Sequence, residues 1–172
     1  MTIHTEHPFL PADGDRDPLR RFRGRTPSPV TVWTAGEGRD RAGLTVSSFL
    51  VADGDPSLVL GLVDEDSDLA DAVEPGGTIA VSLLAEPHRG LAEVFAGQAP
   101  APGGTFTVGT WEQTTWGPVL VGAAGWIGAR LVDAEPRHAG WALLLEAVVE
   151  HVEVAGDVTG LAHVRGRYRD LG

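Results

Sequence analysis

The chain has 172 residues, 13 of them basic and 24 acidic, for a formal net charge of −11, and contains no cysteine; that is the length of one domain with one core. Disulfides, thiolate nucleophiles, iron–sulfur clusters and cysteine-bound zinc are excluded, and the charge argues against nucleic acid, where affinity comes from neutralising phosphates, and against membranes reached through basic residues. All 13 basic residues are arginine, so there is no lysine for a phosphate loop or for a Schiff base.

The polar start, Met1 to Pro8, has no signal-peptide pattern, and no apolar run approaches the ~20 residues that span a bilayer; a cytoplasmic setting is expected. Residues 1–17 are expected to form a mobile polar arm. Asp17 then N-caps a short helix from Pro18 to Arg23, with Pro18 in its first turn. The β-branched run Val30 to Thr34 predicts a strand and Gly43 to Val51 a second, joined through Gly36 to Gly38. Ser57 to Val63 is almost continuously apolar, as a strand buried on both faces would be.

Ser67 to Val73 suits a short helix, and Thr78 to Leu84 returns as a strand after the Pro75-Gly76-Gly77 turn. Glu86 to Phe95 reads as an amphipathic helix with Leu91 and Phe95 on one face and Gly97 at its end. Gln98 to Gly104 is a loop. Strands are predicted at Ala124 to Val132, at Trp141 to Val154, long enough to bend, and at Ala162 to Tyr168. Six or seven strands interrupted by two short helices predict a mainly β fold, a barrel with peripheral helices, while periodicity alone leaves a sandwich open. No GxGxxG follows a strand, which argues against a Rossmann site.

Read in order, SPVTVWTAG (Ser28 to Gly36), RAGLTVSSF (Arg41 to Phe49), PSLVLGL (Pro56 to Leu62), TIAVSLL (Thr78 to Leu84), LAEVFAG (Leu91 to Gly97), GPVLVGAAGW (Gly117 to Trp126) and AHVRGRYRDL (Ala162 to Leu171) are similar to the flavin reductase-like family. The resemblance implies an FMN-binding split β-barrel, Greek-key-like with short peripheral helices, over residues 18–172. It further implies a homodimer holding a flavin, FMN or FAD, at the subunit interface. The implied activity is NAD(P)H-dependent reduction of that flavin, with a partner monooxygenase as a candidate recipient. The alternatives are a split barrel that binds a flavin, haem or other planar ligand without turnover, and a structural barrel with no small ligand.

By the same resemblance, Thr45, Val46, Ser47 and Ser48 run along the flavin, against the plainer reading of hydroxyls on a solvent face. Ser67 opens the helix whose start would hold the phosphate. This chain departs from the family there, because Asp64, Glu65, Asp66 and Asp68 surround it. A like-charge pair 5 to 6 Å apart costs about 3 kcal/mol at an effective dielectric of 20. Either these carboxylates cap the helix and face solvent, or Arg39 or Arg41 neutralises the phosphate, or the ligand is less anionic. His138, in EPRHAGW, matches the family histidine that faces flavin and nicotinamide, although the Gly-Asp before it is replaced by Pro136-Arg137; a surface turn residue is the rival reading. His163 and Arg165 approach the pocket or simply end a strand. Trp33, Trp126 and Trp141 are expected in the core or an interface, and Trp111 and Trp116, on a loop, either cover the ligand or pack. The other histidines have no metal-ligand spacing, and no metal is expected.

Overall fold

The computed structural model describes residues 17–171, so the expected arm, Asp17 apart, lies outside the described residues. Helix α1 spans Pro18–Arg25, and the Asp17 carboxylate accepts the Leu19 N–H at 3.0 Å with proline in the first turn, as anticipated. The chain continues through β1 (Ser28–Pro29), β2 (Thr31–Ala35), β3 (Ala42–Val46), β4 (Phe49–Ala52) and β5 (Leu58–Asp64). Next come α2 (Asp68–Ala72), β6 (Thr78–Leu83) and α3 (Arg89–Phe95), the last preceded by a 3-10 turn at Glu86–His88 that contains Pro87. The remainder is β: β7 (Trp111–Gln113), β8 (Pro118–Leu120), β9 (Gly125–Leu131), β10 (Arg137–Ala139), β11 (Ala142–Val154), β12 (Ala162–Val164) and β13 (Arg167–Arg169).

One antiparallel sheet runs β3-β2-β6-β9-β11-β5-β4, with β10 hydrogen-bonded to β11. Strand β11 bends the sheet around its core. Its first half pairs with β5 and its second with β9, and the register shifts between Val149 and His151. The result is the curled, split-barrel arrangement expected, with short helices outside. Two expected strands are each divided. Gly43 to Val51 breaks at Ser47-Ser48, because β3 pairs with β2 at one edge of the sheet and β4 with β5 at the other. Ala162 to Tyr168 is a hairpin turning at Arg165 and Gly166, both at positive φ.

The inside of the curl holds Trp33, Val46, Val59, Val63, Leu69, Ile79, Val81, Leu131 and Leu145. A second core lies on the other side of β2, where Val30, Val32, Leu84, Leu91, Phe95, Leu120 and Leu161 pack beneath α3 together with Phe106 and Trp111. Strand β2 therefore has both faces covered, and all five of its residues are buried. Its polar groups are satisfied: the Thr31 hydroxyl donates to the Val46 carbonyl at 2.6 Å and accepts from Trp33 Nε1 at 3.1 Å, and the Thr34 hydroxyl donates to the Pro118 carbonyl at 2.6 Å. By contrast, the expectation that β5 is buried on both faces is corrected. Val59, Gly61 and Val63 face inward, while Leu60 and Leu62 line an outer face that no element among the described residues covers.

Candidate functional site

The open outer face of β5 forms the floor of a cleft of about 400 Å³. Leu60 and Leu62 rise from β5, Leu50 from the edge strand β4 and Leu144 from β11, whose backbone pairs with Leu62. A second wall is the segment Thr26–Pro29, which leads from α1 through β1, and Ser47 and Ser48 complete the lining. On the inner side of this floor, Gly61 lets Trp33 pack directly against the β5 backbone. A Cβ built at Gly61 would stand 2.5 Å from the indole, closer than any side chain could pack.

The break between β3 and β4 is what exposes the two serines. Ser48 gives its carbonyl to the Leu62 N–H at 2.9 Å, and among the described residues neither serine hydroxyl has a partner. They stand free at the rim of an apolar cleft. A flat, apolar ring with polar edges meets the walls and the hydroxyls in the manner of ordinary ligand pockets.

The neighbouring side chains of β3 are placed differently. The Thr45 side chain points to the opposite face, where its hydroxyl donates to the Ala92 carbonyl of α3 at 2.7 Å, and the Val46 side chain is buried in the inner core. Both are used to hold the fold together. Arg41 is also committed: its Nε donates to the Gly38 carbonyl at 2.9 Å and its guanidinium lies 4.6 Å from the centre of the Phe106 ring. It lies beside the second core, away from the cleft lining.

At the far end of β5 the chain turns through the acidic residues into α2. Asp64 accepts the Asp66 N–H at 3.0 Å. The Ser67 hydroxyl donates to the Asp64 carbonyl at 2.6 Å and accepts the Ala70 N–H at 3.2 Å, an N-cap. The hydroxyl expected to bind phosphate thus serves the turn, and Asp68 and Asp71 sit in the first turn of α2, where negative charge is favoured. Glu65 has a different partner. Its carboxylate lies 2.8 Å from Nε2 of His138, joining β10 to this turn across 73 residues of sequence. His138 is exposed and lies outside the cleft lining, so the structure joins it to the acidic turn rather than to the serines.

Trp116 belongs to another surface, outside the cleft lining. Its ring stacks on His151 with centroids 5.3 Å apart, and Nε1 donates to Glu150 at 2.7 Å. It rests on β9 at Gly128, where a Cβ would come within 2.3 Å of the indole. With Arg130 also 2.7 Å from Glu150, the Trp116 and Arg130 hydrogen bonds hold that carboxyl below its ordinary range. Trp111 packs against Phe95 and Phe106 in the second core. Trp141 was expected inside the fold or at an interface; it stands at the β10–β11 turn, 95% exposed, and is no part of the core. The leucines of the cleft, missed in the sequence, carried one signal: they alternate with the inward residues of a strand beside a sheet edge.

The chain from residue 23 to 172 matches the family model described as "Flavin reductase like domain". It is 32% identical over 118 residues to the FMN reductase (NADH) RutF of Ancylobacter novellus, an alignment covering 68% of this chain and 65% of that protein's length. To an FMN reductase (NADH) RutF of Methylorubrum extorquens it is 31% identical over 171 residues, 98% of this chain and 82% of the relative. Among solved structures, the NADH:FAD oxidoreductase SgcE6 of Streptomyces globisporus superposes with a TM-score of 0.80 at 27% identity, covering 95% of this chain and 96% of that one. SgcE6 has also been solved in complex with NAD and FAD fragments.

Proposed function

Since the chain belongs to the flavin reductase-like family, we propose that it is a homodimeric NAD(P)H:flavin oxidoreductase that reduces FMN or FAD in the cleft over β5. The observation that carries this reading is the cleft itself, an uncovered apolar floor ending at two free serine hydroxyls, in a chain whose relatives are FMN reductases. A flavin held there would supply the redox chemistry, with a dihydronicotinamide as the hydride donor. The residues of the chain then have three tasks. Leu50, Leu60, Leu62 and Leu144 exclude water from the ring faces, Ser47 and Ser48 fix a polar edge, and the rigid floor set by Trp33 and Gly61 holds the plane, so that positioning does most of the work. His138, held by Glu65, is available to orient the nicotinamide end.

A second copy completes the site. Leu50 and Val51 on the edge strand, Leu62 beside them and the Trp141 indole are exposed, and apolar surface of this kind marks an interface. The reduced flavin, once released, serves a partner monooxygenase in a cytoplasmic setting, a reading supported by 28% identity over 156 residues to the reductase component of 4-hydroxyphenylacetate 3-monooxygenase from Thermus thermophilus. The acidic turn favours one rival, a barrel that binds a planar ligand without turnover, because carboxylates beside a flavin phosphate weaken its binding.

Oxidation of NADH or NADPH by the purified protein, followed at 340 nm with and without added FMN or FAD, is the test. Flavin-dependent oxidation together with a scattering mass of about twice 18.1 kDa is expected. A protein that binds flavin but oxidises neither nucleotide is the binding barrel, and one that binds no flavin ends the reductase reading.

A further inference from the structure

A nicotinamide or flavin-adenine dinucleotide carries a diphosphate, and the turn at residues 64–68 offers it only carboxylates and a serine already engaged. The arginines are elsewhere. Arg20, Arg21, Arg23 and Arg25 lie on α1 and Arg165, Arg167 and Arg169 on the β12–β13 hairpin, seven of the 13 in the chain. All seven are exposed, and among the described residues none is ion-paired. The two groups adjoin, since the Arg165 N–H donates to the Gly24 carbonyl at 2.7 Å and β1 pairs with β12. They also border the cleft, because Thr26–Pro29, which forms one of its walls, runs directly from α1 into β1.

We propose that this arginine surface is the binding site for the diphosphate of an adenine dinucleotide, with Phe22 as the platform on which the adenine stacks; the proposal rests on the function given above. Pro18, Arg21, Phe22 and Arg25, spaced along one face of α1, line a shallow depression of about 280 Å³, and Phe22 is 73% exposed. An aromatic face flanked by guanidinium groups suits adenine and diphosphate together: guanidinium forks match phosphate oxygens, and bases stack on aromatic rings. Arg165 supplies a separate observation. Its φ of 51° makes it the single non-glycine residue at positive φ among those described. In such a two-residue hairpin turn asparagine or glycine fits at lower backbone cost. The turn holds an arginine in that conformation beside α1. Arg23 and Arg25 also complement the dipole at the C-terminal end of the helix, a purely structural use that neither Arg21 nor Arg165 has.

The experiment is calorimetric titration of the intact protein with ADP at low salt, repeated for Arg21→Gln and Arg165→Asn. Wild type binds ADP, each variant binds it about tenfold more weakly, as expected for loss of a charge-assisted hydrogen bond, and Arg165→Asn is at least as heat-stable as wild type because asparagine accepts the turn. Two further measurements locate the diphosphate. A raised KM for NADH assigns it to the nicotinamide dinucleotide, and a weakened affinity for FAD with that for FMN unchanged assigns it to the flavin; either supports the site. Absence of ADP binding in wild type, or unchanged ADP, NADH and FAD parameters in both variants, overturns it. So does loss of the dimer in the variants without a change in nucleotide affinity, which would give α1 to a second copy of the chain. Failure of the reductase reading is distinguishable, because it appears as absent flavin-dependent NADH oxidation while ADP titration reports on the arginines directly.

Discussion

Strands β2 and β5 are both rich in apolar residues, and they are treated oppositely by the fold. Around β2 the inner core lies on one face and α3 with the β7–β8 hairpin on the other, so every residue is buried. Around β5 the described residues cover only the inner face, and the outer one forms the cleft floor. An apolar strand therefore says that two faces need cover without saying what provides it. Where the described residues provide none, a ligand or a second subunit is a candidate.

The largest effect should come from the position that touches both strands. Trp33 lies on β2 and packs under Gly61 of β5, so Trp33→Ala is expected to lower unfolding free energy in urea by about 3 to 5 kcal/mol. A loss below 1 kcal/mol would mean that the floor is not held from beneath. On the outer face the balance should invert. Leu50→Asn with Leu62→Asn, at positions 70% and 37% exposed, should leave monomer stability within about 0.5 kcal/mol per site. The same pair should weaken flavin binding by about tenfold or more, given ~1.5 to 3 kcal/mol for a buried leucine. Flavin affinity equal to wild type would make the outer face an ordinary surface.

A smaller contrast separates the neighbouring hydroxyls. Ser47→Ala with Ser48→Ala should cost about 0.5 to 1.5 kcal/mol of flavin binding per lost hydrogen bond and little stability. Thr45→Val should do the reverse, costing about 1 kcal/mol of stability through the lost bond to Ala92 and sparing the ligand. Fluorescence quenching by bound flavin and urea titration on the same samples read both. If Thr45→Val is the variant that loses flavin, the assignment of faces on β3 is wrong.

The smallest effect concerns the layer over β2 alone. His88, just before α3, accepts the Ala85 N–H on Nδ1 at 3.1 Å and is therefore neutral there. Burial lowers its pKa from the ordinary value of 6.5. Below pH 6.5 the unfolded chain takes up a proton that the native ring resists. The contribution is thus complete above that pH and lost as pH falls through 6.5 toward the lowered native value. Urea midpoints at pH 7.5 and 5.5 should differ more for wild type than for His88→Asn. An equal difference would remove His88 as the cause.

What the amino-acid order determined by itself was local or global in kind. Asp17 and Pro18 announce α1 because a cap and a fixed φ act within one turn, and Ser67 announces α2 for the same reason. The strands at Val30, Ser57, Thr78 and Ala124 follow from β-branched and apolar runs, and the absence of cysteine and lysine settles the chemistry that is excluded. The ordered family motifs also made the flavin reductase-like assignment legible. Only the tertiary structure decided which apolar face the described residues leave bare, that Ser47 and Ser48 fall at the crossing between two sheet edges while Thr45 turns to α3, and that Trp116 lies over Gly128. It also decided that Glu65 meets His138. Each depends on a partner tens of residues away whose position is set by the curl of the sheet, and no local propensity carries that information.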